Sequence, residues 1–458
     1  MVTSVTSNLR KNDWRNTYES FIYGNIYPII FSVTTFLFWV LNLQLIGFAL
    51  LVAMGCFVLF TRDDMSPLLP LLLLVPMCFR NSMIFNNQIA PYLILILPFF
   101  AIIYNFIKNK AKLTLDNLGI CLLFFFACML LGGLFSPYLS SYALGFPLIA
   151  IAGIAMPVIH VFFISRIKLT NKVDLRKYFA YSFICAINVA CAQLIYARAH
   201  VALFGDVVFK FPSFCWANTN LIGNLLLIAV PMCLYLLLST KSIAFYLFEI
   251  ILLYFCVFLS KSDGCTAILL SFTPFLIFVT LKYCHRRNYS IIYDFCIALI
   301  ALGFLVVEYL LLFHTQLIFD FAKKLISDNG RSGLYCLGLE AFINHPIFGT
   351  GFGYGSILSQ KHTSYFHSSI IQVLSCSGLV GLTAFVLLYV ARAKNLLKNK
   401  TLFGSFAFIA FVMFGCYALI DNGEFNMVAI YATLLISVTS VINKKKDTTL
   451  PLETAKFL

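Results

Sequence analysis

Apolar runs long enough to cross a bilayer follow one another along almost the whole chain. A hydrocarbon core needs about 20 apolar residues in helical form. Runs of roughly that kind, bounded by charged or turn residues, fall at 26–41, 45–60, 67–79, 89–107, 118–135, 146–165, 178–196, 221–238, 243–259, 265–281, 291–313, 367–390, 402–420 and 427–442. Lipid offers no water to a backbone amide, so such runs must close their hydrogen bonds internally, as helices. The run PLLPLLLLVPMCF is short and rich in proline and reads either as a span or as a re-entrant segment; the first two runs are parted only by Asn42 to Gln44. The expected fold is an all-α integral membrane protein of about 12–14 transmembrane helices.

Composition leaves little room for a soluble alternative. Of 458 residues, 61% are hydrophobic and 11% charged. A water-soluble domain of that size has too little interior to hide so much apolar surface. The 49 phenylalanines and 23 tyrosines suit lipid-facing and interfacial positions. The polar start MVTSVTSNLRKNDWRNTYES runs straight into the first apolar stretch, so that stretch is expected to be its own targeting signal. The 15 cysteines form no C-x-x-C pair and mostly fall inside runs, as in GICLLFFFACML, where thiols act as small apolar groups. Cys215 and Cys336 fall in expected outer loops, either bridged or simply buried.

The net charge of +14 does not point to nucleic acid, because the basic residues are spread over short loops between runs. With the N-terminus placed inside and the spans alternating, 24 of the 32 lysines and arginines fall on inner segments. The outer eight are Arg80, Arg198, Lys210, Lys261, Lys323, Lys324, Arg331 and Lys361. This bias predicts cytoplasmic N- and C-termini. Two outer loops are long, near 197–220 and 314–366, and loops of such length tend to carry function. The chain is therefore read as spans over 1–313 with the first outer loop, a long outer loop at 314–366, and C-terminal spans over 367–458.

The second loop reads in pieces. HTQLIFDFAKKLISD has the spacing of an amphipathic interfacial helix, ended by Asn329-Gly330. Arg331 opens another helical stretch, RSGLYCLGLEAFINH, stopped by Pro346. The turn FGTGFGYGS follows, then KHTSYFHSS, with His367 at the mouth of the next run. Gly349, Gly351, Gly353 and Gly355 have no lysine-serine ending and no βαβ context, which excludes a P-loop or dinucleotide fingerprint. They read either as a flexible turn or as backbone that lets a bulky ligand come close. His362 and His367 are five apart, off any shared helical face, so no metal site is expected. Arg198, Lys210, Lys261 and Arg331 sit where cations are depleted, and such a set can hold a phosphate or pyrophosphate. Glu249 and Glu308 lie within runs, where an acid either serves function or pairs with a neighbouring helix. Glu424, in DNGEFN, reads as a solvated loop acid or as a base or sugar-binding group.

The stretch from Arg331 to Gly381, R-S-G-L-Y … E-A-F-I-N-H-P-I-F-G-T-G-F-G … H-S-S-I-I-Q-V-L-S-C-S-G-L-V-G-L, resembles the signature region of the O-antigen polymerase and ligase superfamily. KFPSFCWANTNLIGNLLLIAVP and FLSKSDGCTAILL resemble its upstream segments more loosely. Asp263 stands where that family usually has arginine, Ser368 where asparagine is commoner, and Lys210 where arginine is frequent. The resemblance implies a glycosyltransferase-C-like fold in a bacterial inner membrane, with the 314–366 loop as the outer, periplasmic or extracellular, catalytic loop. It implies a glycosyltransferase without cofactor or metal, whose donor is an undecaprenyl-pyrophosphate-linked glycan. The expected function is polymerisation of lipid-linked repeat units of a surface polysaccharide, O-antigen or capsule. The alternatives are a ligase moving glycan onto a lipid A core, or a lipid-linked glycan transporter. Expected partners are membrane lipid, a chain-length regulator protein and a flippase. Under this resemblance His367 and Arg331 are catalytic, His367 orienting or deprotonating the acceptor hydroxyl and Arg331 neutralising the leaving pyrophosphate. Arg198, Lys210, Asn220, Lys261, Glu340, Gly351, His362 and Ser368 would contact substrate.

Overall fold

The computed structural model describes residues 16–79, 94, 96–137, 149–168, 173–204, 218–287, 292–294, 297–300, 303, 331–353 and 366–445. Among these residues every regular element is helical. Helices meet the apolar runs nearly end for end: Ile26–Val40, Gln44–Thr61, Asn117–Leu134, Thr219–Ser239, Ile243–Leu259 and Leu402–Ile420 each match a run to within two residues. Most of the run at 291–313 falls outside the described residues. Seven described helices are long and apolar enough to cross a membrane, and eight if Asn16–Ile22 and Ile26–Val40, bent by 62°, form one span. Shorter apolar helices lie at Leu68–Cys78, Ile96–Lys108, Ala152–Arg166, Ile243–Leu259 and Val428–Lys444. Large apolar side chains stand open on helix exteriors, including Phe99 (61%), Phe248 (62%) and Phe278 (60%). Water would penalise such faces and lipid does not. The chain is a multi-pass, all-α membrane protein.

Local chemistry sets the helix starts. Asp116 accepts from the Gly119 amide at 2.8 Å and Thr401 from the Gly404 amide at 3.2 Å, each satisfying one of the four donors left free at a helix N-terminus. Asn42 turns the chain between the first two helices in the left-handed region, at φ 61°, which asparagine tolerates better than most residues.

The described chain falls into two compact units, interleaved in sequence. One takes the residues up to Leu115, His160–Ile222 and the segment from Leu434. Its charged groups are knotted together. Asp64 accepts from Tyr23 Oη at 2.8 Å, Ser66 Oγ at 2.8 Å and the Lys168 amide at 2.9 Å, while Arg62 pairs with Glu19. The other unit takes Asp116–Ile159 and Gly223–Thr433.

The second unit is organised around a broken helix. Ser369–Lys398 is interrupted at Gly378 (φ 60°, ψ −157°). A break strands two carbonyls and two amides that would have bonded each other. Here a neighbouring turn takes both sides. The Leu379 and Val380 amides donate to the Pro346 and Ile347 carbonyls at 2.8 and 3.3 Å. The Ser375 and Cys376 carbonyls accept from the Thr350 and Gly351 amides at 2.9 and 3.0 Å. Gly349 faces the backbone of Cys376 and Ser377, Gly378 that of Pro346 and Ile347, and a Cβ on either would stand 2.4 Å or less from a backbone atom. The glycine-rich turn is thus a backbone splint for the broken helix. Its glycines serve close chain-to-chain approach, a use that neither sequence reading of the turn named.

Candidate functional site

Four segments read as outer loops converge within the second unit. They are the turn at Ser260–Ser262, the helix Arg331–Asn344 with its following turn, the mouth at Phe366–Ser368, and the 421–427 loop. Gly264 lies so close to Ile420 that an added Cβ would meet its Cδ1 at 2.5 Å. Gly223 packs against Ser260 and Cys265 in the same way.

The helix opened by Arg331 carries two of the contacts on one face. Arg331 and Tyr335 are four residues apart and so share that face. Arg331 Nη1 donates to the Ile420 carbonyl at 2.8 Å, and Tyr335 Oη donates to the His367 carbonyl at 3.0 Å. His367 is held with φ 51°, a left-handed conformation that disfavours residues with a Cβ. Such strain, on the order of 1–3 kcal/mol, persists only where surrounding contacts fix it and gathers at functional sites. The ring is aimed at Asp421: His367 Nδ1 lies 3.2 Å from Asp421 Oδ1. The other carboxylate oxygen accepts from Tyr417 Oη at 2.8 Å.

Asp421 ends the Leu402–Ile420 helix, its amide bonded to the Tyr417 carbonyl. An acid at a helix C-terminus opposes the macrodipole; Arg331, donating to the Ile420 carbonyl, complements the same helix end, and His367 and Tyr417 bond the carboxylate itself. Burial pushes the Asp421 carboxyl up; hydrogen bonds from His367, Tyr417 and the Asn422 amide outweigh it and hold the group below the ordinary carboxylate range. With the Nδ1–H directed at a carboxylate, Nε2 is left as the free lone pair of the imidazole. The site therefore holds a base with a buried orienting acid and a guanidinium beside it. Among the described residues no three His, Cys, Asp or Glu side chains converge as a metal site.

The other predicted site residues are distributed as follows. Ser368 is buried and stands at the N-cap of the broken helix, its carbonyl accepting from Gln372. Lys261 is exposed, with φ 54°, in the turn before Asp263–Arg287. Gly351 is buried and commits its amide to Cys376. Glu340 is exposed on the Arg331–Asn344 helix. Asn220 lies in the first turn of Thr219–Ser239, and Arg198 is in the first unit, on Leu175–Phe204. Lys210, His362, Glu308 and Cys215 lie outside the described residues, as does the amphipathic stretch at 314–328. Glu249 is buried in Ile243–Leu259, and Cys336 is exposed with a free thiol.

Two sequence readings need correction. Glu424 is no solvated loop acid: it is 1% exposed, and its Oε1 accepts from Tyr389 Oη and Arg392 Nη1, both at 2.6 Å. Arg392 is no inner-loop cation: it is 1% exposed within the broken helix, and Nη2 meets Met156 Sδ at 3.4 Å. The basic bias across the loops survives its removal from the inner set.

Asp421, Tyr417, Tyr335 and Gln372 were not foreseen. Gln372 is fully buried and accepts from the Phe366 amide at 3.0 Å and Asn422 Nδ2 at 3.3 Å, joining the mouth to the loop. Tyr417 and Asp421 stand four apart at the end of a span, and that spacing was the signal available.

Residues 247–386 match the family model described as O-antigen ligase. This chain carries a domain of the O-antigen polymerase and ligase superfamily. The matched stretch of this superfamily domain takes in Lys261, Arg331, the splinting turn, His367 and Gly378, and ends before Arg392, Asp421 and Glu424. The matched family implies a glycosyltransferase-like enzyme in general. No curated protein matches the chain.

Proposed function

We propose that this protein polymerises undecaprenyl-pyrophosphate-linked oligosaccharide repeats of a surface polysaccharide on the outer face of the bacterial inner membrane. The observation that carries this reading is the convergence of Arg331, His367, Asp421 and Tyr417 at the C-terminal end of the Leu402–Ile420 helix. An acceptor sugar hydroxyl attacks the anomeric carbon of the donor. As the new C–O bond forms, the proton passes to His367 Nε2 and the bond to pyrophosphate breaks. The leaving polyprenyl pyrophosphate keeps the electron pair. Arg331 has one guanidinium nitrogen on Ile420, and its remaining N–H groups are suited to the oxygens on which charge develops. Asp421 holds the ring and stabilises the imidazolium once formed.

The ligase reading stays second, favoured by the description of the matching family model. Products separate the two. Cells lacking a polymerase keep single repeat units on their final acceptor, whereas cells lacking a ligase accumulate polymer on the carrier lipid. Purified protein in liposomes, given lipid-linked single repeats and no ion gradient, is expected to lengthen them. Unchanged repeats would defeat the proposal, and transport without elongation would favour a transporter. The orientation, with both termini cytoplasmic, rests on the basic bias. Labelling of Cys336, exposed in the structure, by a membrane-impermeant thiol reagent on intact spheroplasts tests it, with Cys336→Ser as the control.

A further inference from the structure

The 421–427 loop carries Asp421, and its attachment to the broken helix is uneven. Near the mouth the contacts are long: His367 Nδ1 to Asp421 Oδ1 at 3.2 Å, Ser369 Oγ to the Asp421 carbonyl at 3.4 Å, the Glu424 amide to Ser369 Oγ at 3.5 Å, and Asn422 Nδ2 to Gln372 at 3.3 Å. Only at Glu424 are they short, with Tyr389 and Arg392 both at 2.6 Å and the ion pair 1% exposed on either side. Bonds to an ionised group are shorter and about twice as strong as neutral ones. The tightest tie between loop and helix therefore lies three residues beyond Asp421, on a side chain that faces away from solvent.

The same tie fixes the fold of the helix. Ser369 and Arg392 are 23 residues apart in sequence, which in an unbroken helix is about 34 Å. Glu424 bonds both, through its amide to one and its carboxylate to the other. One residue cannot span that distance, so Glu424 holds the two arms in their folded arrangement about Gly378. The N-terminal arm begins two residues after His367.

We infer that Arg392 and Glu424, with Tyr389, are positioning residues for the His367–Asp421 pair, setting the loop and both arms of the broken helix in the geometry that transfer requires. The inference rests on the glycosyl-transfer reading above. Neither side chain touches substrate; each acts through the loop.

The test uses the full-length protein in liposomes with lipid-linked repeats. A single change strands a buried charge, so the informative variant replaces both partners with apolar groups of similar size, Arg392→Met with Glu424→Leu, which keeps packing while removing the directional tie. The expected result is a folded, monodisperse protein whose kcat falls tenfold or more while KM for the lipid-linked donor stays within twofold. Tyr389→Phe, which removes one of the two short bonds and no charge, is expected to lose severalfold in kcat with the same split. A folded double variant with wild-type kcat, or a loss confined to KM, would overturn the inference. If the double variant does not fold, Tyr389→Phe decides alone, and wild-type kcat there overturns it. Should the wild-type protein fail to elongate the repeats, it is the glycosyl-transfer reading that fails; wild-type elongation abolished by His367→Ala shows that reading intact whatever the tether variants do.

Discussion

The 421–427 loop makes two acid–base contacts, one with the broken helix and one with the mouth residue just before it, and they differ in almost every physical respect. Arg392–Glu424 is closed off from solvent, 1% exposed on both sides, and short at 2.6 Å. His367–Asp421 is open, 34% and 12% exposed, and loose at 3.2 Å. A buried ion pair in an apolar interior is justified only if every donor and acceptor is closely placed, because desolvating two charges takes back most of their attraction. A pair that must exchange a proton with an incoming hydroxyl has the opposite requirement: one ring nitrogen held, the other reachable. The difference teaches how to tell a contact built to hold from one built to react. Both lie on a single loop, so the loop transmits the rigidity of the first to the second.

Breaking the closed contact on one side only should have the largest effect. Arg392→Met alone leaves the Glu424 carboxylate in an apolar interior without its cation, a loss of about 3–5 kcal/mol for a buried pair. That is a large fraction of the stability of an ordinary protein, so the variant is expected to reach the membrane in much reduced yield. Normal yield and thermal stability in detergent would contradict the contrast between the two contacts.

Breaking the open contact should spare the fold and stop the chemistry. His367→Ala is expected to insert and purify normally and to lose about 10²–10⁴-fold in elongation rate, the range for a general base. Asp421→Asn keeps shape and some hydrogen bonding, but the amide neither favours the Nδ1–H tautomer nor stabilises an imidazolium. A loss approaching that of His367→Ala is expected, mostly in kcat. Arg331→Lys keeps the charge and loses the planar fork; at least a tenfold loss is expected, and unchanged activity would remove Arg331 from the leaving-group side.

How far these contacts were legible in the sequence follows from their physics. Spans announce themselves because each must be apolar along its length, and the helices Ile243–Leu259 and Leu402–Ile420 coincide with their apolar runs. Arg331 and His367 were visible because they sit in an ordered signature with prolines and glycines at fixed offsets. Asp421 and Glu424 had no such frame. In DNGEFN they look like any acids of a short polar connection, and nothing local says that residues 421–426 are buried, with the Phe425 ring 5.2 Å from that of Phe352. Arg392 read as a cytoplasmic cation because a helix continuing straight from Ser369 would carry it to the far side. The break at Gly378 changes that, and it depends on a partner turn more than 20 residues upstream in the chain. Long-range backbone exchange of this kind leaves glycines in the sequence but does not say what they approach.

The smallest expected effect is on stability against pH, and it acts through Asp421. Asp421 has a folded-state affinity for protons below that of an unfolded aspartate, because hydrogen bonds from His367, Tyr417 and Asn422 favour the ionised form more than burial disfavours it. Its contribution is therefore complete above the ordinary carboxylate range and is lost as pH falls through the lowered folded-state value. Thermal unfolding of the detergent-solubilised protein, followed from neutral pH downward, should show a midpoint that declines on the acid side, and Asp421→Asn should decline less over the same interval. His367→Ala should also flatten the decline, since it removes the group that contributes most to holding Asp421 ionised. If both variants keep the wild-type acid slope, Asp421 is not held ionised by His367 and the open contact is no working pair.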